Sequence, residues 1–269
     1  GDALEVDGED VGLWLRFPEG TTTVQVDLAI SYVDEDGARN NLASELPRFD
    51  RVRVQAEAED AWRDELSNVR VRGETSRMRM FHTAQYHAML MPSIISDVDG
   101  RYRGPDDGIH TVVEGEHYSD FSLWDTFRTQ HPWLLLTRPE RQAAMVRSLL
   151  RFAEDGGSLP RWPLAHGYTG GMVGTPAVQV LSGSVLKGLQ GFDAEEAWTV
   201  ARRAVVDGQP QVGRSAHDDY LSFGYVPVEA SGASASRTIE YAWSDAAMAD
   251  WATFRDASDD VAHFETMAA

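Results

Sequence analysis

Residues 24–32 alternate. Val24, Val26, Leu28, Ile30 and Tyr32 fall on one side, and Gln25, Asp27, Ala29 and Ser31 fall on the other, the period of two expected of a half-buried strand. This predicts a strand over 23–33 and a second over 11–17 (VGLWLRF), with Pro18-Glu19-Gly20 as the turn between them. A third short strand is predicted over 69–71. Two paired strands are barely stable alone, so the pattern predicts the remnant of a larger sheet. After Gly37 the apolar positions recur near 3.6 residues, which predicts helices over 38–46, 49–66, 75–91, 122–130, 138–154, 174–189, 193–206 and 236–254, and one starting near Ser258. Pro139 opens the helix over 138–154 and Gly156-Gly157 stops it, while Asp193 and Ser236 are N-caps in type. The helix over 122–130 is expected to end before Pro132. Long loops at 92–121, 155–171 and 207–235 are rich in Gly, Pro, Trp and Tyr, and such loops on a helical scaffold commonly carry function.

The charge narrows the class. Lys and Arg number 24 against 43 Asp and Glu, a net charge of −19. That surface repels phosphate backbones and argues against a nucleic-acid partner. The absence of cysteine removes disulfides, thiolate nucleophiles and cysteine-ligated metals. No apolar run reaches the 18 or so residues that a membrane span needs, so no membrane partner is expected. The chain opens at Gly1 with no leader-like segment, and is expected to be cut from a longer protein.

Common catalytic signatures are missing: there is no HExxH, no phosphate-binding P-loop and no GxSxG elbow. Asp97-Val98-Asp99-Gly100 resembles part of a calcium loop, but Ile95 falls where the first carboxylate belongs. A tight turn at Asp99-Gly100 is the better reading. No His pair has metal-ligand spacing. Residues 118–128 (YSDFSLWDTFR) place Trp124 beside Asp125 at the start of a helix. An indole packs on the C–H face of a sugar and a carboxylate accepts its hydroxyl hydrogen bonds. The alternative is an ordinary helix start, with Asp125 on the dipole and Trp124 in the core. Residues 159–174 (LPRWPLAHGYTGGMVG) put Arg161, Trp162, His166 and Tyr168 in a loop, either a cleft wall or rigid packing. Residues 236–245 (SRTIEYAWSD) carry Arg237, Glu240 and Asp245; Arg237 and Glu240 are three apart, so an ion pair between them is the plain alternative.

Taken in order, these stretches resemble glycoside hydrolase family 92. Residues 81–104 (FHTAQYHAMLMPSIISDVDGRYRG) are similar to its first barrel helix and following loop, and 118–128 to its Y-S-x-F-S-L-W-D-T-F-R signature. The stretch 139–163, Thr169–Gly174, Leu186-Lys187-Gly188, Phe192-Asp193-Ala194, Tyr220–Pro227 and Ser236–Ala242 follow in the family's order. Ser182-Gly183-Ser184-Val185 stands where the family usually has Asp-Ala-Tyr.

The resemblance implies an α+β chain: the C-terminal part of a β-sandwich with linker helices over 1–72, then about half of an (α/α)6 toroid over 73–269. It implies a calcium-dependent, inverting, exo-acting α-mannosidase, of α-1,2 type, acting on α-mannoside glycans outside the cell or in the periplasm. Trp124 and Asp125 would hold the terminal mannose, joined by Arg161, Trp162, Arg237 and Glu240. The family's acid and base lie in motifs that would follow Ala269, so no catalytic carboxylate is expected within the chain. The calcium ligands would mostly lie outside it too, and the isolated chain is expected to be inactive. Half a toroid would leave helix faces uncovered, so self-association is expected. The rival readings are a non-catalytic carbohydrate-binding or scaffold protein that kept the pocket, and a helical toroid of another family, such as a lyase.

Overall fold

The computed structural model describes residues 12, 14–48, 50–208 and 213–269. Helices dominate: α1 (Glu35–Glu45), α2 (Arg51–Ser67), α3 (Thr75–Ala88), α4 (Leu123–Thr126), α5 (Gln130–Thr137), α6 (Pro139–Gly156), α7 (Pro176–Leu186), α8 (Ala194–Val206), α9 (His217–Phe223), α10 (Ser234–Phe254) and α11 (Ser258–Ala268). The strands are short and antiparallel. β1 (Ser93–Ile94) pairs with β4 (Tyr118–Ser119), β2 (Arg101–Arg103) with β3 (Ile109–Thr111), and β5 (Pro163–Leu164) with β6 (Gly167–Tyr168).

The predicted ends follow local chemistry. Asp193 caps α8, its carboxylate accepting from the amides of Glu195 at 2.9 Å and Glu196 at 3.0 Å. Gly157, at φ +80°, closes α6 in the left-handed conformation that glycine adopts without strain. The core is built where α6, α7, α8 and α10 meet. Val146, Leu149, Val178, Leu181, Ala197, Ala201, Met248 and Trp251 are all buried there. By contrast, α2 buries none of its residues.

Three expectations fail. Residues 14–17, 21–33 and 69–71 form no strand, while Val11 and Leu13 lie outside the described residues. Alternation supplies a face, but a strand exists only through a paired neighbour. Leu28 is 83% exposed and Ile30 68%. Side chains tie down the end of this segment instead: Asn41 donates to the Ile30 carbonyl at 3.0 Å, and Arg103 to those of Tyr32 at 2.9 Å and Val33 at 3.0 Å. The helix over 122–130 breaks into α4 and α5, with Pro132 in the first turn of α5, where its missing N–H has no intrahelical partner to lose. Ser236 does not cap α10, which begins two residues earlier at Ser234. Phe49, placed at the start of the second helix, also lies outside the described residues.

The hairpins make the long loops rigid. Pairing of β1 with β4 delivers the chain to Phe121 and Leu123, both fully buried. These two anchors hold Trp124 at the start of α4. On the other side, the Tyr168 hydroxyl lies 2.6 Å from the Phe152 carbonyl and 2.7 Å from that of Ser158, fastening β6 to the end of α6. Gly100 closes the turn at Asp97–Gly100 with a 2.9 Å amide bond to the Asp97 carbonyl, as the turn reading of that stretch expects.

Candidate functional site

Two helices meet at the site. From α4, the Trp124 indole N–H donates to Glu240 Oε1 at 3.1 Å. One turn on, Arg128 Nη2 donates to the same oxygen at 2.8 Å, and Arg128 Nε donates to the Trp124 carbonyl at 3.1 Å. The Arg128 guanidinium carbon lies 5.2 Å from the Trp124 ring centre, 4.6 Å from Phe127 and 5.1 Å from Trp243, so three aromatic faces hold the cation.

Glu240 belongs to α10 and is only 6% exposed. Its second oxygen, Oε2, is buried and has no hydrogen-bond partner in the protein. A buried carboxylate oxygen with an unfilled lone pair is costly, and such a group marks a place where a ligand donor is wanted. Gly174, at φ +83°, lies directly against this side chain; a Cβ there would stand 2.9 Å from Glu240 Cβ. Glycine is thus required both by conformation and by the close approach of the loop to α10.

Arg237 lies one turn before Glu240. Its Nε donates to Ser231 Oγ at 2.9 Å, while its Nη1 is buried without a partner. The ion pair between Arg237 and Glu240 that their spacing suggests is not made; Glu240 pairs with Arg128. Arg161 is buried, and each of its three nitrogens reaches a backbone carbonyl: Gly171 at 2.7 Å, Gly213 at 2.9 Å, and Gly170. Burial lowers the Arg161 pKa from its usual value, and the nearby Arg237 charge lowers it further. Trp162 is half-buried beside Gly171, and its carbonyl accepts from Thr169 Oγ1 at 2.6 Å. Asp125 is exposed and accepts from Ser122 Oγ at 2.6 Å.

The structure therefore joins Trp124 directly to Glu240. It makes Arg161 the brace of the glycine loop that leads to Gly174. Asp125 stands at the exposed edge of α4, bonded within its own turn. Sequence reasoning did not single out Arg128, Gly174 or Trp243 for the site. The four-residue step from Trp124 to Arg128 was the available signal, since residues so spaced share a helix face. His166 and Tyr168 serve the loop: His166 Nε2 lies 3.3 Å from Asp107, and Tyr168 makes the anchor described above.

Calcium requires six to eight oxygen ligands. Among the described residues no group of three or more His, Asp or Glu side chains is arranged to hold a metal. Glu240 Oε2 is a single oxygen, so these residues do not fit the ion on their own. Nor is any described helix long and apolar enough to cross a membrane.

Residues 37–269 match the glycosyl hydrolase family 92 catalytic domain. The chain belongs to that family. An α-mannosidase of family 92 from Bacteroides thetaiotaomicron is 33% identical, with a TM-score of 0.84 over 88% of this chain and 32% of its own. The same enzyme is also solved with mannoimidazole bound. An inverting family 92 mannosidase from the same organism is 27% identical, with a TM-score of 0.80 over 88% of this chain and 33% of its own. An uncharacterized secreted glycosidase of Arthroderma benhamiae is 26% identical over 87% of this chain and 29% of its own length. The family 92 chain described here thus spans about a third of the length of these relatives.

Proposed function

We propose that this chain supplies the sugar-holding part of an inverting, exo-acting α-mannosidase. The observation that carries the reading is the unpartnered, buried Glu240 Oε2 beside the Trp124 indole. A pyranose offers what the pair lacks: hydroxyls that donate to a carboxylate, and a C–H face that packs on an aromatic ring. Arg237 Nη1, also buried and unfilled, supplies a donor for a sugar oxygen, and Asp125 closes the exposed edge. Trp162 and Arg161 hold the glycine loop that brings Gly174 against Glu240. The substrate is the terminal mannose of an α-1,2-linked mannoside glycan outside the cell or in the periplasm.

Inversion uses one carboxylic acid to protonate the leaving oxygen and a second carboxylate to activate water, about 6.5–9.5 Å apart. None of the residues assigned here takes either role. They bind and orient, and the acid and base come from family motifs beyond α10. Calcium dependence follows from the family, with ligands from outside this site. Residues 1–72 belong with the sandwich and linker, and 73–269 with about half of the toroid.

The test is saturation-transfer NMR of the 269-residue chain with methyl α-mannoside, alongside mannose release from an α-1,2-mannobioside. The expected result is saturable contact, lost in Glu240→Gln, with no release. No contact with the wild-type chain overturns the assignment of the site, and saturable mannose release overturns the division of labour.

A further inference from the structure

The two oxygens of a carboxylate are equivalent, so one stays free whichever way Glu240 flips; what has to be held is the plane that sets where the free oxygen points. The terminal torsion of a glutamate is broad and roughly two-fold, so a single neutral donor, the Trp124 indole, holds it weakly. Arg128 changes this. Its Nη2, at 2.8 Å from Oε1, loads a second, charged donor onto the oxygen already bonded to Trp124, and charge-assisted bonds are about twice as strong as neutral ones. With both donors on Oε1, Oε2 must face the other way. Arg128 is itself fixed from two further directions, by the Trp124 carbonyl at 3.1 Å and by three aromatic rings. The guanidinium lies over one face of the indole that it helps to orient, so a sugar held by Trp124 would have to stack on the other face.

We infer that Arg128 is a positioning residue of the sugar site: it locks the Glu240 carboxylate in one rotation and, through it, the plane of the Trp124 ring. This rests on the reading that Trp124 and Glu240 hold the sugar. Arg128 touches no sugar; it sets the direction of the acceptor and the tilt of the plate. Lysine cannot replace it fully, because a single ammonium cannot meet Glu240 and the Trp124 carbonyl in the same fork geometry.

The experiment uses the chain labelled with 5-fluorotryptophan, with the Trp124 resonance assigned by Trp124→Phe. Arg128→Met keeps the side-chain length and removes the fork. Without sugar, the Trp124 fluorine line is expected to shift and broaden in Arg128→Met, with Arg128→Lys between it and wild type. With methyl α-mannoside, Kd is expected to rise about tenfold or more in Arg128→Met. A purely structural role would lower the melting temperature and leave the Trp124 line and the affinity of the folded protein unchanged; that result overturns the inference. If the wild-type chain binds no mannoside, the function proposed above fails, and the sugar-free Trp124 line still decides the role of Arg128. Should Arg128→Met not fold, Arg128→Lys carries the same comparison: a displaced line supports the inference and an unmoved one overturns it.

Discussion

Asp245 and Glu240 lie five residues apart on α10. Each is buried, and each is paired with an arginine that rests on aromatic rings. Asp245 is saturated. Arg214 meets its two oxygens at 2.6 and 3.1 Å, the Tyr220 hydroxyl adds 2.9 Å, and both partners of the ion pair are 1% exposed. The Arg214 guanidinium lies 5.6 Å from the Tyr220 ring and 5.2 Å from Tyr241. Glu240 has the same kind of partner but keeps one oxygen empty. Arg214 Nε is buried without a partner too, so the difference between strut and receptor lies on the carboxylate, as one unfilled lone pair. One helix carries both, so the receptor sits on a strut that fixes its rotation.

The largest expected effect breaks the strut. Asp245→Asn strands a buried guanidinium, and removing one partner of such a pair costs about 3–5 kcal/mol. Urea unfolding should show a midpoint far below wild type, or no cooperative transition. Wild-type stability would mean that Asp245 is not the strut described.

Acid comes next and sets the window for every other comparison. Burial lowers the His117 pKa to about 3 and that of His131 to about 4. Both histidines are therefore neutral in the folded protein, while the unfolded chain takes up their protons below about pH 6.5. The stability they hold is complete above pH 6.5 and is lost as the pH falls toward those lowered values. At pH 5 each contributes about 2 kcal/mol of destabilisation. Unfolding titrations from pH 7.5 to 5 should show this loss, and His117→Phe should reduce it. A flat profile would contradict the burial of these rings.

Glu240→Gln should cost less, about 1 kcal/mol, because Arg128 is partly solvated and screens the change. Its effect belongs in sugar affinity. If Glu240→Gln unfolds the chain as severely as Asp245→Asn, the distinction between strut and receptor fails. Asp125→Ala is the smallest test. With its carboxylate exposed on α4, stability should stay within about 0.5 kcal/mol, while mannoside affinity falls. Unchanged affinity in the folded variant would remove Asp125 from the site.

The sequence was legible where a signal is local. The caps at Asp193 and Gly157 and the apolar stripes of α6 and α8 follow from periodicity and turn chemistry. α9 escaped because its seven residues lie between left-handed Ala216 and Gly224, too short to show a period. The strands expected over 11–17 and 23–33 fail in their described parts because alternation is local and pairing is not. The same divide holds at the site. Trp124 and Glu240 stand out in the sequence by residue type and by the family pattern, and the structure bonds them to each other. Arg128 was passed over although it sits four residues from Trp124, because its decisive partner, Glu240, lies 112 residues further along the chain.

The exposed row of Val24, Val26, Leu28 and Ile30 has a consequence for colloidal behaviour. Over residues 21–32 the chain runs without a strand partner among the described residues, and its apolar side chains stand in water. Such a stretch is a template on which the same stretch of another molecule can add. Long-range repulsion from a net charge of −19 opposes the encounter at neutral pH. Toward the isoelectric point near pH 4.7 that repulsion vanishes, just as the buried histidines loosen the fold. Mild acid should therefore turn clear solutions into thioflavin-positive particles, and replacing Val26 and Leu28 with lysine should keep them clear.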